Sequence, residues 1–120
     1  MSEWLIPWLS AFALTQVVEM PIYVRALREG PRPTIDRLPK ALALAFAASA
    51  LTHPIVWFVM PRLIPDNWLT MAIVAELFAI TAEAAWMRSF GLPRALAWAG
   101  LANAASVLVG IALRSLIAWP

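Results

Sequence analysis

The sequence predicts an all-α polytopic membrane protein: four transmembrane helices in an antiparallel bundle, forming one domain over residues 1–120. Three observations predict it. Hydrophobic residues make up 62% of the chain and charged residues 13%, whereas a soluble domain carries about 25% charged residues. Mean hydropathy is +0.77. The apolar residues also fall into four stretches of about 20, the length a helix needs to cross the hydrocarbon.

The first span is expected over about residues 4–24. The chain opens Met1-Ser2-Glu3-Trp4, without the positive n-region of a signal peptide, so the stretch reads as a span. Glu29-Gly30-Pro31-Arg32-Pro33 breaks the pattern. The second span follows over about residues 41–60 and ends at Pro61-Arg62-Leu63-Ile64-Pro65-Asp66. The third covers about residues 68–87 and the fourth about residues 95–113; Arg88-Ser89-Phe90-Gly91-Leu92-Pro93-Arg94 separates them. The last two connections are short, which makes spans two to four antiparallel neighbours.

Charge sets the expected orientation. Loops one and three and their flanks hold Arg25, Arg28, Arg32, Arg37, Lys40, Arg88 and Arg94; the opposite side holds Arg62 and Arg114. The positive-inside rule then places both termini outside and loops one and three in the cytoplasm, as in a bacterial cytoplasmic membrane. Trp4, Trp8, Trp57, Trp68 and Trp119 fall near the outer boundary, and Trp86 and Trp98 near the inner one; all read as interfacial anchors. The basic first loop suits anionic lipid head groups. It is too short and proline-broken to suggest nucleic-acid binding.

Leu38-Pro39-Lys40-Ala41-Leu42-Ala43-Leu44-Ala45 resembles Leu92-Pro93-Arg94-Ala95-Leu96-Ala97-Trp98-Ala99. One reading is a tandem helix-hairpin repeat, with parallel halves related by an axis along the membrane normal. In that alignment Ser49 faces Asn103, Val107 stands where His53 does, and Glu19 falls near Glu76. The other reading is chance, since proline favours the first turn of any helix.

Candidate functional residues are the polar groups at membrane depth. Glu19, Glu76, Glu83 and His53 lie within the spans, where an ionisable group costs roughly 2.5–3.5 kcal/mol on insertion scales. At a rise of about 1.5 Å per residue, Glu19 and Glu83 lie roughly 6–10 Å from the cytoplasmic ends, and Gln16, Thr15, Asn103 and Glu76 roughly 13–17 Å. Ser106 and His53 lie further out. Gln16, Glu19 and Tyr23 share one helical stripe, as do Glu76 and Glu83, and as do Asn103, Ser106 and Gly110. Gly100 and Ala104 are expected to let a neighbouring backbone approach. Glu76 is expected either to be protonated or to bond Asn103 or Gln16, and Glu19 and Glu83 to be within reach of Arg25 or Arg88 through their long stems. Pro21 and Pro54, beside Glu19 and His53, each free a backbone carbonyl one turn earlier.

Other chemistries find less support. Without cysteine there are no disulfides or thiolate sites. A metal site from His53, Glu19 and Glu76 lacks ligand spacing, with no His-Glu-x-x-His or Glu-x-x-His. A Ser49–His53 hydrolase with Glu76 orienting the ring lacks a nucleophile elbow. No Walker or dinucleotide fingerprint occurs, and no cofactor is expected. The expected function is a small transporter or channel subunit that binds a proton or cation through Glu76 and Glu19, with His53 as outer relay. Four helices make a narrow path, so a homo-oligomer is expected. The rivals are an accessory subunit of a larger membrane complex, held by the same polar groups acting as helix staples, and an intramembrane enzyme acting on lipid or peptide through Glu76 and His53.

Overall fold

A computed structural model describes residues 2–29 and 33–118, without the side chains of Ser2 and Trp4. The expectations for the Trp4 and Trp119 rings and for Gly30, Pro31 and Arg32 lie outside the described residues. Four long helices are present: α1 (Ser2–Arg28), α2 (Leu38–Leu63), α3 (Trp68–Ser89) and α4 (Ala95–Ile117). Each is long and apolar enough to span a membrane. No strand occurs among the described residues.

The helices outrun the predicted spans by up to about a turn, because backbone hydrogen bonding continues into the polar flanks. Pro39 sits in the first turn of α2, where its missing N–H costs nothing. Asn67 caps α3, its Oδ1 accepting from the Thr70 N–H at 3.0 Å. At the far end of α3 the Leu92 N–H reaches the Met87 carbonyl (3.2 Å) and the Gly91 N–H the Arg88 carbonyl (2.9 Å). Gly91 has φ +94°. This is a Schellman closure, with glycine at the left-handed position and an apolar contact between Leu92 and Met87, both buried.

The helices form a closed ring. α1 packs on α2 and α4, and α3 packs on the same two, so α1 and α3 face each other across the bundle axis. The bundle is 46 Å long, enough for a hydrocarbon core of about 30 Å and both interfaces. Its outer surface is apolar: Val17, Phe46, Leu77 and Leu108 are all exposed, as lipid contact requires. Inside, alanines predominate, with Ala41, Ala45, Ala48, Ala95, Ala99 and Ala102 essentially fully buried. Small side chains let helices approach closely where no hydrophobic force separates lipid from protein. Gly100 and Ala104 do not serve this role. A Cβ at Gly100 would meet nothing within 4 Å, and Ala104 is exposed, because both fall on the outward face while the alanine stripe faces in.

Packing is uneven along the axis. The end carrying loops one and three is shut by Tyr23, Leu27, Met87 and Leu92 with the alanines. The Ile35 N–H ties loop one back to the Leu27 carbonyl at 2.9 Å. Toward the other end the helices enclose a cavity. Helix α1 runs unbroken through Pro7 and Pro21. Helix α2 instead widens after Pro54 into a π turn over Ile55–Val59, with the Met60 N–H bonded to the Ile55 carbonyl. Such insertions re-aim side chains and concentrate at functional sites. Trp57, within this turn, lies beside His53, ring centroids 6.0 Å apart, as an i, i+4 neighbour does on a helix.

Candidate functional site

Two carboxyl groups, one from α1 and one from α3, meet on the bundle axis and are held by α2 and α4. Glu19 is 1% exposed and Glu83 2%. Ser49 donates to Glu19 Oε1 (3.0 Å) and Ser106 to Glu19 Oε2 (2.7 Å). Glu83 Oε1 accepts from Tyr23 (2.6 Å) and Asn103 Nδ2 (3.0 Å), and Glu83 Oε2 from Thr52 (2.9 Å). Ser106, bonded to Glu19, also lies 3.1 Å from the carbonyl of Asn103, whose Nδ2 bonds Glu83, so the two carboxyls belong to one network.

The arrangement has a twofold pattern. Glu19 takes Ser49 from its own hairpin and Ser106 from the other; Glu83 takes Asn103 from its own and Thr52 from the other. The shift that carries Ser49 onto Asn103 also carries Thr52 onto Ser106, and it superposes the alanine stripes of α2 and α4 as well. Glu83, rather than Glu76, is therefore the counterpart of Glu19. Tyr23 breaks the symmetry, because Met87 occupies the matching place beside Glu19 and has no O–H to donate. Glu83 thus accepts three donors and Glu19 two.

Hydrogen accounting gives the network a second property. A hydroxyl has one hydrogen. Ser106 lies within reach of both Glu19 Oε2 and the Asn103 carbonyl (3.1 Å). Thr52 lies within reach of both Glu83 Oε2 and the Ala48 carbonyl (3.3 Å). A carboxyl carrying a proton would donate it to the hydroxyl oxygen, whose own hydrogen would turn to the backbone. The network is therefore complete with or without one added proton, at either carboxyl.

The pair forms the floor of a cavity of about 760 Å³ lined by all four helices, within the usual range of ligand pockets, about 300–1,000 Å³. Its walls are mostly apolar, Val56, Ala72, Ala75 and Val107 among them. Pro61, Trp68 and Arg114 also line it, at the end that holds the chain termini. Glu76 stands on the wall seven residues from Glu83, roughly 10 Å above the floor. It is half-buried and makes no hydrogen bond or ion pair among the described residues.

The structure brings together Glu19, Glu83, Asn103, Ser49, Ser106 and Tyr23, and the predicted stripes all face inward. It corrects three expectations: the hydrogen-bond partners of Glu76, the arginine contacts of Glu19 and Glu83, and the anchor reading of Trp8, Trp57 and Trp86. Asn103 bonds Glu83 and the Ala99 carbonyl (2.9 Å), and Gln16 donates to the Phe46 carbonyl (3.2 Å), so neither meets Glu76. Arg25 and Arg88 reach neither carboxyl. They stand about 240° and 140° around their helices from Glu19 and Glu83 at 3.6 residues per turn. Arg25 pairs with Glu29 at 3.7 Å in solvent, and Arg88 borders a hollow of about 560 Å³ beside loop three. His53 Nδ1 has no hydrogen-bond partner among the described residues; Trp8, Phe12 and Trp57 surround the ring at 5.3–6.2 Å. Ser49 Oγ is committed to Glu19, which removes the Ser49–His53 nucleophile pair. Trp8 and Trp57 accordingly pack inward, and Trp86 Nε1 donates to the Leu44 carbonyl at 3.1 Å, so these three are not simple interfacial anchors. Trp68, 73% exposed, keeps that geometry.

Thr52 was not among the predicted site residues. Its signal was present: it stands three residues past Ser49, on the same stripe. Among the described residues no three His, Asp or Glu side chains converge to hold a metal ion. Comparison with known protein families, with curated proteins and with solved structures gives no match.

Proposed function

We propose that this chain is a small membrane transport protein in which the Glu19–Glu83 pair binds a proton or small cation at the closed end of a cavity open to one side of the membrane. One observation carries the reading: the carboxyl pair bridges all four helices, and each carboxyl has one hydroxyl partner, Ser106 on Glu19 and Thr52 on Glu83, that can turn to a backbone acceptor, so one proton can arrive or leave without orphaning those groups. Ionisable groups inside spanning bundles mark ion pathways for the same reason. With the termini outside, as the lysine and arginine bias favours, the cavity faces the exterior of a bacterial cytoplasmic membrane, and loop one rests on anionic head groups. Alternating access would need the tight end to open, by rocking of the two hairpins or within a homo-oligomer.

The purified protein reconstituted in liposomes, with a trapped pH-sensitive dye and membrane potential clamped, tests it. Wild type is expected to dissipate an imposed proton gradient, and Glu19→Gln and Glu83→Gln each to slow it by about tenfold or more, the loss of roughly 1.4 kcal/mol of interaction. Gradients that decay no faster than in empty liposomes, or equally fast in both variants, refute it. A second reading is favoured by the full donor set on Glu83: the network is a helix lock and the chain is an accessory subunit. That reading requires a stable heteromeric partner on gentle extraction.

A further inference from the structure

Glu76 is the one glutamate on the cavity wall that the hydrogen-bond network does not use. Its carboxyl has no partner among the described residues, although it lies at membrane depth on a helix whose other inward acid, Glu83, accepts three donors. It stands about midway between Trp68 at the mouth and Glu83 at the floor. The register fixed by the Asn103–Glu83 bond places Gly110 across from it on the antiparallel α4. A Cβ at Gly110 would meet only Leu14 Cδ2, at 3.9 Å, so that side of the cavity is open. On another wall His53, nine-tenths buried, lines the same cavity with Nδ1 unpaired. A buried nitrogen and a membrane-depth carboxyl left unpaired on one cavity are groups that an occupant completes.

The lining states what that occupant is. Its volume, about 760 Å³, exceeds what a bare inorganic ion needs. Its walls are aliphatic and aromatic, which favours an apolar body. Its charge is acidic: three carboxyls against the single guanidinium of Arg114, which is exposed at the mouth where a long stem reaches the head groups. Trp57 and Trp68 line the cavity, and aromatic π faces attract cations. An anionic amphiphile would meet Glu76 and then the carboxyl floor. A neutral one would leave Glu76 without a counter-ion.

We propose that the cavity binds a lipophilic organic monocation, with Glu76 as its counter-ion and the Trp57 and Trp68 rings against its apolar body. This deepens the transport reading by naming the substrate class, and it rests on that reading for coupling the cation to the Glu19–Glu83 floor. Binding itself needs no transport, so the two can fail separately.

The experiment is equilibrium binding of tetraphenylphosphonium to the detergent-purified full chain, beside the neutral, similarly shaped triphenylphosphine oxide. Wild type is expected to bind the cation saturably and the oxide at least tenfold more weakly. Glu76→Gln is expected to lose at least tenfold in affinity for the cation, and Glu76→Asp, which keeps the charge, to retain most of it. Absence of cation binding, equal binding of cation and oxide, or unchanged affinity in Glu76→Gln overturns the proposal. The comparison of the two probes on wild type needs no variant to fold. Proton flux that survives without cation binding would sink this proposal alone.

Discussion

Replacing Glu83 with alanine should destabilise the bundle by about 2–4 kcal/mol, the largest effect expected from any single polar position. Three hydrogen bonds from three different helices end on this carboxyl, and bonds between membrane helices are worth about 0.6–1.7 kcal/mol each. The loss is unequal among the partners. Thr52 can fall back on the Ala48 carbonyl and Asn103 keeps the Ala99 carbonyl. Tyr23, 0% exposed, has no other acceptor among the described residues, and a buried hydroxyl left unpaired costs about 1–3 kcal/mol. Tyr23→Phe introduced into the Glu83→Ala protein should therefore restore about 1 kcal/mol, although in wild type it costs about that much. Glu76→Ala, which breaks no bond, should stay within about 0.5 kcal/mol. Reversible unfolding in mixed micelles measures all four. Equal costs for Glu83→Ala and Glu76→Ala would mean that the carboxyl does not hold the bundle together.

The second large effect is on function with the fold intact. Gly110→Phe should reduce both proton flux and tetraphenylphosphonium binding by on the order of tenfold or more, with unfolding within about 1 kcal/mol of wild type. Gly110 lines the cavity opposite Glu76, and the room beyond its Cβ position is limited only by the end of a leucine side chain. A phenyl ring there fills cavity space instead of displacing packed atoms, so overpacking strain is small. Retained flux and binding would place the pathway elsewhere. Comparing the variants separates the two roles of the site: Glu83→Ala weakens the scaffold, whereas Gly110→Phe closes the chamber.

How much of this could be read from the sequence follows from the physics of each level. The four helices were legible because hydrocarbon thickness imposes a length and the chain interrupts its apolar stretches with proline and charge. Inward stripes were legible because helical period alone puts Glu19 with Tyr23 and Asn103 with Ser106. Partners across the bundle were not. Depths counted along the axis put Asn103 level with Glu76, but side chains on a helix lean toward its N-terminus. Glu83 on α3 therefore leans toward the cavity, and Asn103 on the antiparallel α4 leans toward the tight end, so the two meet across about a turn of counted depth. The same lean brings Glu19 to Ser49 and Ser106. The arginines were misplaced for a different reason. Their stems are long enough, but their bearing around the helix points away from the axis, and neutral donors already satisfy the carboxyls. The aromatic surround of His53 comes mostly from Trp8 and Phe12 of α1, a contact between helices that helical period along one span does not encode. Thr52 was overlooked because a threonine in an apolar span commonly bonds only its own backbone; its second bond, to Glu83, is a tertiary fact.

On the proposed reading, Glu19 and Glu83 act as one exchangeable site on the bundle axis. Infrared difference spectroscopy of the protein in lipid bilayers, recorded as pH is stepped from acid to alkaline, tests it most directly. Besides the bands of the other carboxyls of the chain, which the double Glu19→Gln, Glu83→Gln variant retains, wild type is expected to show a carbonyl stretch that the double variant lacks and that disappears in a single step, and Glu19→Gln or Glu83→Gln is expected to shift the band of the surviving partner. A double variant whose spectrum matches wild type, or two single variants whose bands ignore each other, would contradict it.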